Sequence, residues 1–394
     1  MSATPIQVRE EAAPARPRVL LRFDPLLLLG ALGLVACSLA TLKGATADNV
    51  AGDPLYYVKR QAIYAGIGLV IAVVLARIDY SYWRRYKWVF YGLMILLNLV
   101  VYATPQVAGA KRWIPFPFFQ IQPSEFGKIL LIVSLASFAV DRSRRLQEWR
   151  TTTRIMLLAL LPALIVIPQP DLGTALVFVA IGFMILFFAG TSWKHITALL
   201  VMFAASIALV LAGAPAVGVH VLKPYQVQRL TGFLHPSSNP QSSTYNIHQS
   251  LIAIGSGQKT GRGANATETK LNYLPANDTD FVFAAVGETY GFVGAAIVIS
   301  LYALLIWRGL RILTMSKNMY GTLIAGGILG MLMFQVFVNV GMTIGIMPIT
   351  GVPLPLMSYG GSSVVVTFIA VGLLESIYIQ ARIAAATKSR GLVP

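Results

Sequence analysis

Asp280 ends a long polar stretch in an otherwise apolar chain. From about Ala214 to Asp280 the apolar runs stop, and the interruption carries KPYQVQRLTGFLHPSSNP, HQSLIAIGSGQKTGRG and LNYLPANDTDFVFA. An acidic group where polar loop meets apolar helix is usually functional. A carboxylate within reach of a hydroxyl can act as a general base; the blander role is the N-cap of the next helix. Cations accompany it. Lys259 and Arg262, in the glycine-bearing GSGQKTGRG, could grip a phosphate, although no G-x-G-x-x-G run and no preceding strand make a dinucleotide fingerprint. Lys111 and Arg112 stand beside Trp113 in GAKRWIPFPFFQIQPSEFGK. In the same run Pro123 stops the incoming chain and Ser124 is a plausible helix cap. Glu125 and Lys128 follow at i and i+3 on one helix face, either as a structural ion pair or as the lining of a polar cavity. In QPDLGT, Asp171 is placed to cap the next helix. In MPITGVPLPLMSYGGSS, three prolines (Pro348, Pro353, Pro355) and Gly360-Gly361 forbid a continuous helix, so this backbone must be buried in protein or line a cavity.

The elements that must position these groups are membrane helices. Hydrophobic residues make up 56%, charged residues 12%, and mean hydropathy is +0.69. A soluble chain is about 25% charged; this composition means an all-α, polytopic membrane protein. Ten apolar segments can be marked: Pro25–Leu42, Gln61–Ile78, Trp88–Thr104, Ser124–Val140, Ile155–Pro168, Leu172–Ala189, His195–Ala212, Phe281–Trp307, Gly321–Ile346 and Val364–Ala384. The layout is a tail over 1–24, one membrane domain over 25–384 with a large loop at 214–280, and a tail over 385–394. The first apolar run follows a polar head without a small-residue cleavage site, so it reads as a span rather than a leader. Ten spans put both termini on one side. Most of the 31 Lys and Arg fall in the short segments on that side, so the termini are cytoplasmic and the large loop faces outward.

The net charge of +16 is spread over short loops at membrane ends, where lipid attraction and topology account for it. No basic stripe with interleaved aromatics suggests nucleic acid. The four histidines show no metal-ligand spacing. Cys37 lies alone within the first span, and Gly326-x-x-x-Gly330 suits close helix packing.

Taken together, QPSEFGK, QPDLGTA, YNIHQSLIAIGSG, the LPxxxTDFxFA pattern in LNYLPANDTDFVFA, and PLPLMSYGGSS resemble the SEDS (shape, elongation, division and sporulation) family of bacteria. The motifs run in family order from first span to last. QPDLGTA and AIGSG look more like the elongation member, RodA, than the division member, FtsW. The resemblance implies a peptidoglycan glycosyltransferase that polymerises lipid II on the outer face of the cytoplasmic membrane. It implies as partners a class B penicillin-binding protein and other membrane proteins of the elongation complex. The family's essential TDF aspartate corresponds to Asp280, and its QPSE glutamate and following lysine to Glu125 and Lys128. Two positions depart from the family's LPExHTDF run, where Ala276 and Asp278 replace Glu and His. A second carboxylate so close could raise the pKa of one of the pair.

For that reaction Asp280 is expected to be the base of a single inverting displacement. Lys111, Arg112, Arg229, Lys259 and Arg262 are the outward cations available to a leaving pyrophosphate. Glu125, Lys128, Asp171, Gln249, Ser250, Ser358 and Ser362 complete the expected binding or cavity-lining set. No metal ligand is assigned, and a divalent cation (Mg or Mn) at the pyrophosphate is left open. Two alternatives stand beside this reading. One is a lipid II flippase or transporter with Glu125, Lys128, Asp171 and Glu288 as a relay. The other is a non-catalytic scaffold for the penicillin-binding protein. The lack of a convincing internal repeat and the gathering of loops on one face favour an enzyme.

Overall fold

In the computed structural model, residues 23–46, 53–106, 111–115, 119–213, 224–232, 243–271 and 273–390 are described. The expected N-terminal tail up to residue 22, the loop stretches 214–223 and 233–242, and His220 and His235 lie outside them. The helices are α1 (Pro25–Ala45), α2 (Tyr56–Arg77), α3 (Lys87–Val100), α4 (Pro123–Asp141), α5 (Trp149–Val166), α6 (Leu172–Phe188) and α7 (Trp193–Ala208). They continue with α8 (Pro224–Thr231), α9 (Ser243–Gly257), α10 (Thr267–Lys270), α11 (Val282–Met315), α12 (Met319–Thr343) and α13 (Gly361–Arg390). Among the described residues, nine helices are long and apolar enough to cross a membrane, and the apolar α6 is shorter. These are the ten expected segments.

Burial sorts the helices into layers. α4, α12 and α13 form the centre, while α2, α3 and α7 are largely exposed on the outside. Their exposed side chains, such as Ile63, Val70, Val89, Leu96 and Val201, are apolar, as lipid-facing positions must be. With no hydrophobic drive between helices in lipid, close packing holds the bundle together. Gly326 and Gly330 of α12 do this against α6: a Cβ on them would lie 2.3 Å from Phe188 and 2.2 Å from Met184.

One end of the bundle is joined by charge. Asp24 caps α1 through the Leu26 and Leu27 amides, both at 3.1 Å, and pairs with Arg308 of α11. Lys317 reaches Asp79 at 2.7 Å, and Arg84 reaches Asp141 at 2.7 Å.

The structure corrects three boundaries. The expected loop at 214–280 contains α8, α9 and α10. In α9, Ile247, Leu251 and Ile254 recur at i, i+4 and i+7, and Ile247 and Ala253 enter a small outer core with Leu274, Phe281, Ala284, Met342 and Ile349. One short amphipathic helix in a polar stretch falls below any span-length hydropathy window. α11 runs 34 residues, further than the expected Phe281–Trp307, with a non-helical break at Gly291 (φ 62°, ψ −160°). At 1.5 Å per residue that is about 51 Å, against about 30 Å of hydrocarbon. Its first turns, beside α9, therefore stand above the span. α13 begins at Gly361 rather than Val364 and continues to Arg390, into the tail expected over 385–394.

Candidate active site

The outer core fixes the backbone around Asp280. Phe281 is buried in it, and Asp280 precedes it in a tight turn in which the Thr279 and Phe281 amides donate to the Ala276 carbonyl at 3.2 and 3.0 Å. Ala276 sits at φ 53°, a left-handed conformation that is strained for a residue with a Cβ. The turn is held from two sides. Asn339 Nδ2 of α12 donates to the Asp280 carbonyl and to the Val352 carbonyl, both at 2.8 Å. Ser358 Oγ donates to the Thr279 carbonyl at 2.6 Å, and the Tyr359 amide donates to the Asp278 carbonyl at 2.8 Å. The proline-rich segment after α12 is therefore the buried, irregular backbone its composition required, and it cradles the TDF turn.

Among the described residues, none makes a hydrogen bond or ion pair with the Asp280 side chain. The N-cap of α11 is Phe281, with no side-chain cap bond, so the capping role is not the one Asp280 plays. Its carboxylate is partly buried and faces Gly351, whose Cβ would come within 3.4 Å of Asp280 Oδ2. Burial pushes its carboxyl pKa up; Arg229 and Arg112 pull it down, and Asp171 and Asp278 push it up again. Burial likewise raises the Asp278 carboxyl.

Two cations thus address Asp280, and each is delivered by a different element. Arg229 comes from α8, whose backbone is tied in by the Ile349 amide donating to the Arg229 carbonyl at 3.2 Å. Arg112 precedes the hairpin of β1 (Ile114–Pro115) and β2 (Gln120–Ile121). Its guanidinium donates to the Gln169 carbonyl at 2.9 Å and to the Pro170 carbonyl. Beneath it, Asp171 caps α6 through the Thr174 amide at 3.1 Å. Its other oxygen accepts from Gln122 Nε2 at 3.0 Å and from Ser124 Oγ at 3.3 Å. Asp171 therefore fills its bland role and also pins the start of α4. Gln122 is the N-cap residue of α4 and Pro123 its first helical residue, so Ser124 is not the cap it was expected to be.

Glu125 and Lys128 form a fully buried ion pair at 2.6 Å, just below this network. Ser362 Oγ accepts from the Gln122 amide at 3.0 Å and donates to the Gln120 carbonyl at 3.2 Å, fixing β2 against α13. Asn339 Oδ1 and Thr350 Oγ1 are buried near Asp280 without a protein partner, as is Gln249 Oε1 on α9.

Several expected residues do not join the cluster. Lys259 and Arg262 are exposed, and their loop packs against the break in α11. There the Val293 amide donates to the Lys259 carbonyl at 3.1 Å, and the Arg262 amide donates to the Glu288 carbonyl at 2.8 Å. Gly291 lies about 14 Å along α11 from its start, at 1.5 Å per residue, which removes this loop from Asp280. Its glycines serve close approach: a Cβ on Gly257 would fall 1.9 Å from the Gly287 oxygen. Lys111 donates to the Tyr102 carbonyl at 3.0 Å, and Ser250 Oγ donates to the Thr343 carbonyl at 2.7 Å, both as backbone braces. Glu288 is no free relay group. Its carboxylate accepts the Glu268 and Thr269 amides, both at 2.9 Å, and the Thr269 hydroxyl, anchoring α10.

Sequence reading missed Asn339, Thr350 and Gly351. The signal for Asn339 was present, as one of two amides, with Gln335, in the apolar run MFQVFVNVGM. Thr350 and Gly351 carry no local mark.

A multi-pass helical bundle that carries an uncapped carboxylate with two arginines in its electrostatic surroundings defines a class, that of a membrane-embedded enzyme acting on an anionic substrate. Comparisons with known proteins make this specific. The chain matches the FtsW/RodA/SpoVE family, described as "Cell cycle protein", over residues 20–383. It is 36% identical to the probable peptidoglycan glycosyltransferase FtsW of Thioalkalivibrio sulfidiphilus, covering 96% of this chain and 95% of that one. It is 37% identical to the peptidoglycan glycosyltransferase MrdB of Escherichia coli K12, covering 90% and 93%. The fold resembles a chain in a structure described as "Structural coordination of polymerization and crosslinking by a peptidoglycan synthase complex" (TM-score 0.77, 30% identity, covering 92% and 99%). It also resembles the RodA of Thermus thermophilus (TM-score 0.64, 28% identity, covering 91% and 97%). The chain belongs to the SEDS family. It is a glycosyltransferase and a multi-pass protein of the bacterial inner membrane.

Proposed function

We propose that this glycosyltransferase polymerises lipid II into glycan strands at the outer membrane face. The acceptor sugar hydroxyl attacks the donor's anomeric carbon. The new glycosidic C–O bond forms as the bond to pyrophosphate breaks, and the lipid pyrophosphate leaves. Asp280 takes the proton of the attacking hydroxyl. Pyrophosphate is already a good leaving group and needs no general acid, but its charge needs cations, and Arg112 and Arg229 are the ones that address Asp280. The observation that carries this reading is the uncapped, partly buried Asp280 carboxylate at the loop–helix junction, with Arg229 and Arg112 in its electrostatic surroundings.

An apolar groove supports it. A cavity of about 710 Å³ between α2, α3, α4 and α13 is lined by Leu75, Phe90, Leu97, Ile121, Phe126 and Ile369, among others. It rises to Ile121, next to Gln122, whose side chain bonds Asp171. A polyprenyl chain in that groove would stay in the apolar layer while its pyrophosphate reached the polar mouth.

The partner implied is a class B penicillin-binding protein that crosslinks the strands, and the family motifs favour the elongation role. Purified protein, assayed on lipid II with and without such a partner, should make glycan chains. Asp280→Asn should reduce the rate at least about 100-fold, the lower range for a lost general base. A folded Asp280→Asn variant that polymerises at the parent rate would remove Asp280 as base.

A further inference from the structure

Beside the TDF turn stands a wall of rings. Tyr57, at the outer end of α2, meets Tyr359 edge to face, with ring centroids 4.8 Å apart at 74°. The Arg60 guanidinium lies 4.7 Å from the Tyr56 ring centroid and reaches the Tyr359 hydroxyl. Tyr359 is locked to the reaction site, since its amide donates to the Asp278 carbonyl at 2.8 Å and Ser358 beside it holds the Thr279 carbonyl. The Asp278 carboxylate is electrostatically coupled to Tyr57. All four side chains are partly exposed at the outer face. Asp278 and Asp280 are two residues apart, less than about 7.6 Å between Cα atoms, or about one sugar ring.

The Asp278 side of the TDF turn thus offers aromatic faces, an acceptor carboxylate and a guanidinium already engaged with the Tyr56 ring. Aromatic faces offer apolar area with few side-chain rotors to freeze, and a carboxylate accepts from hydroxyl or amide N–H. This combination suits a neutral, N-acetylated sugar better than a phosphate.

We propose that Tyr57, Tyr359, Asp278 and Arg60 form a carbohydrate subsite that holds the acceptor glycan with its hydroxyl toward Asp280. The inference rests on the polymerase reading but is tested without lipid II. The full-length protein in lipid nanodiscs is titrated with a soluble β-1,4-linked N-acetylglucosamine tetramer, and binding is followed by saturation-transfer NMR. The parent should bind. Tyr57→Leu and Tyr359→Leu should each bind at least about tenfold more weakly. Tyr359→Phe, which keeps the ring, should stay within about threefold of the parent. Asp278→Asn is a further variant that leaves the ring wall intact and should also weaken binding. In polymerisation assays Tyr359→Leu should yield shorter chains. Unchanged tetramer binding in folded Tyr57→Leu, Tyr359→Leu and Asp278→Asn would overturn the subsite. So would a parent protein that polymerises lipid II but does not bind the tetramer, and that result would leave the polymerase reading standing.

Discussion

At the residue scale the site is a balance around one carboxylate. Burial raises the Asp280 carboxyl above the usual 3.8 while Arg229 and Arg112 hold it down. A base must be ionised, so activity should fall on acidification, with an acid limb above the ordinary aspartate range. Removing a cation disfavours the ionised form further. Arg229→Gln should therefore move the limb of a kcat/KM–pH profile to higher pH as well as lower the rate. Stability runs the other way. A group whose folded pKa is raised stabilises the fold below its unfolded pKa and loses that contribution as pH rises through the folded value. At neutral pH the ionised Asp280 thus opposes folding. Asp280→Asn should melt at or above the parent temperature while losing activity, which thermal unfolding in detergent would show. A lower melting point would mean that the carboxylate holds structure instead. The Glu125–Lys128 pair has no such freedom, with relative exposures of 2% and 1%. Breaking one side of a buried pair costs about 3–5 kcal/mol, whereas apolar replacement of both is often tolerated. Glu125→Gln and Lys128→Met should each destabilise strongly, and the double variant less than the sum of the two.

At the element scale the site depends on how α9 seats against α11. Gly257 and Gly261 let the two backbones touch; a Cβ on Gly261, at φ 82°, would lie 2.2 Å from the Thr289 oxygen. Gly257→Ala should therefore cost at least about 1–3 kcal/mol by overpacking and loosen the outer core around Phe281, so hydrogen exchange at the Phe281 and Ala284 amides should speed up. Legibility divides along the same line. The spans were readable because some 20 apolar residues leave no other structure in lipid. The glycines of AIGSGQKTGRG were readable as unusual, yet their role was not, because helix-to-helix approach and phosphate binding call for the same small residues and exposed amides. Asp171 shows the reverse case. Its capping role followed from position alone, while its bond to Gln122 depended on α4 and α6 meeting.

At the scale of the whole molecule, charge sorts the two faces. Ion pairs such as Lys317–Asp79 and Arg84–Asp141 stand at the ends expected from the sequence to be cytoplasmic, and the proposed site lies at the opposite ends. This can be tested with impermeant thiol labelling, since Cys37 is the only native cysteine and sits within α1. Tyr273→Cys, at a 51% exposed outer position, should label in intact cells. Met315→Cys, 45% exposed at the other end of α11, should label only after permeabilisation. The opposite pattern would invert the topology.

The sequence by itself determined the helical class, the ten apolar segments, the expected sidedness and the prominence of Asp280, because hydropathy, charge bias and a loop–helix boundary are properties of contiguous residues. Tertiary structure decided which of five outward cations address that carboxylate. It chose Arg112 and Arg229 over Lys111, Lys259 and Arg262, brought Asn339 beneath the Asp280 carbonyl and set Tyr57 against Tyr359. Those choices come from segments up to 302 residues apart in the chain, the separation of Tyr57 and Tyr359. Only the packing of α2, α6, α8, α12 and α13 around the TDF turn brings them to one place, and no local pattern records that packing.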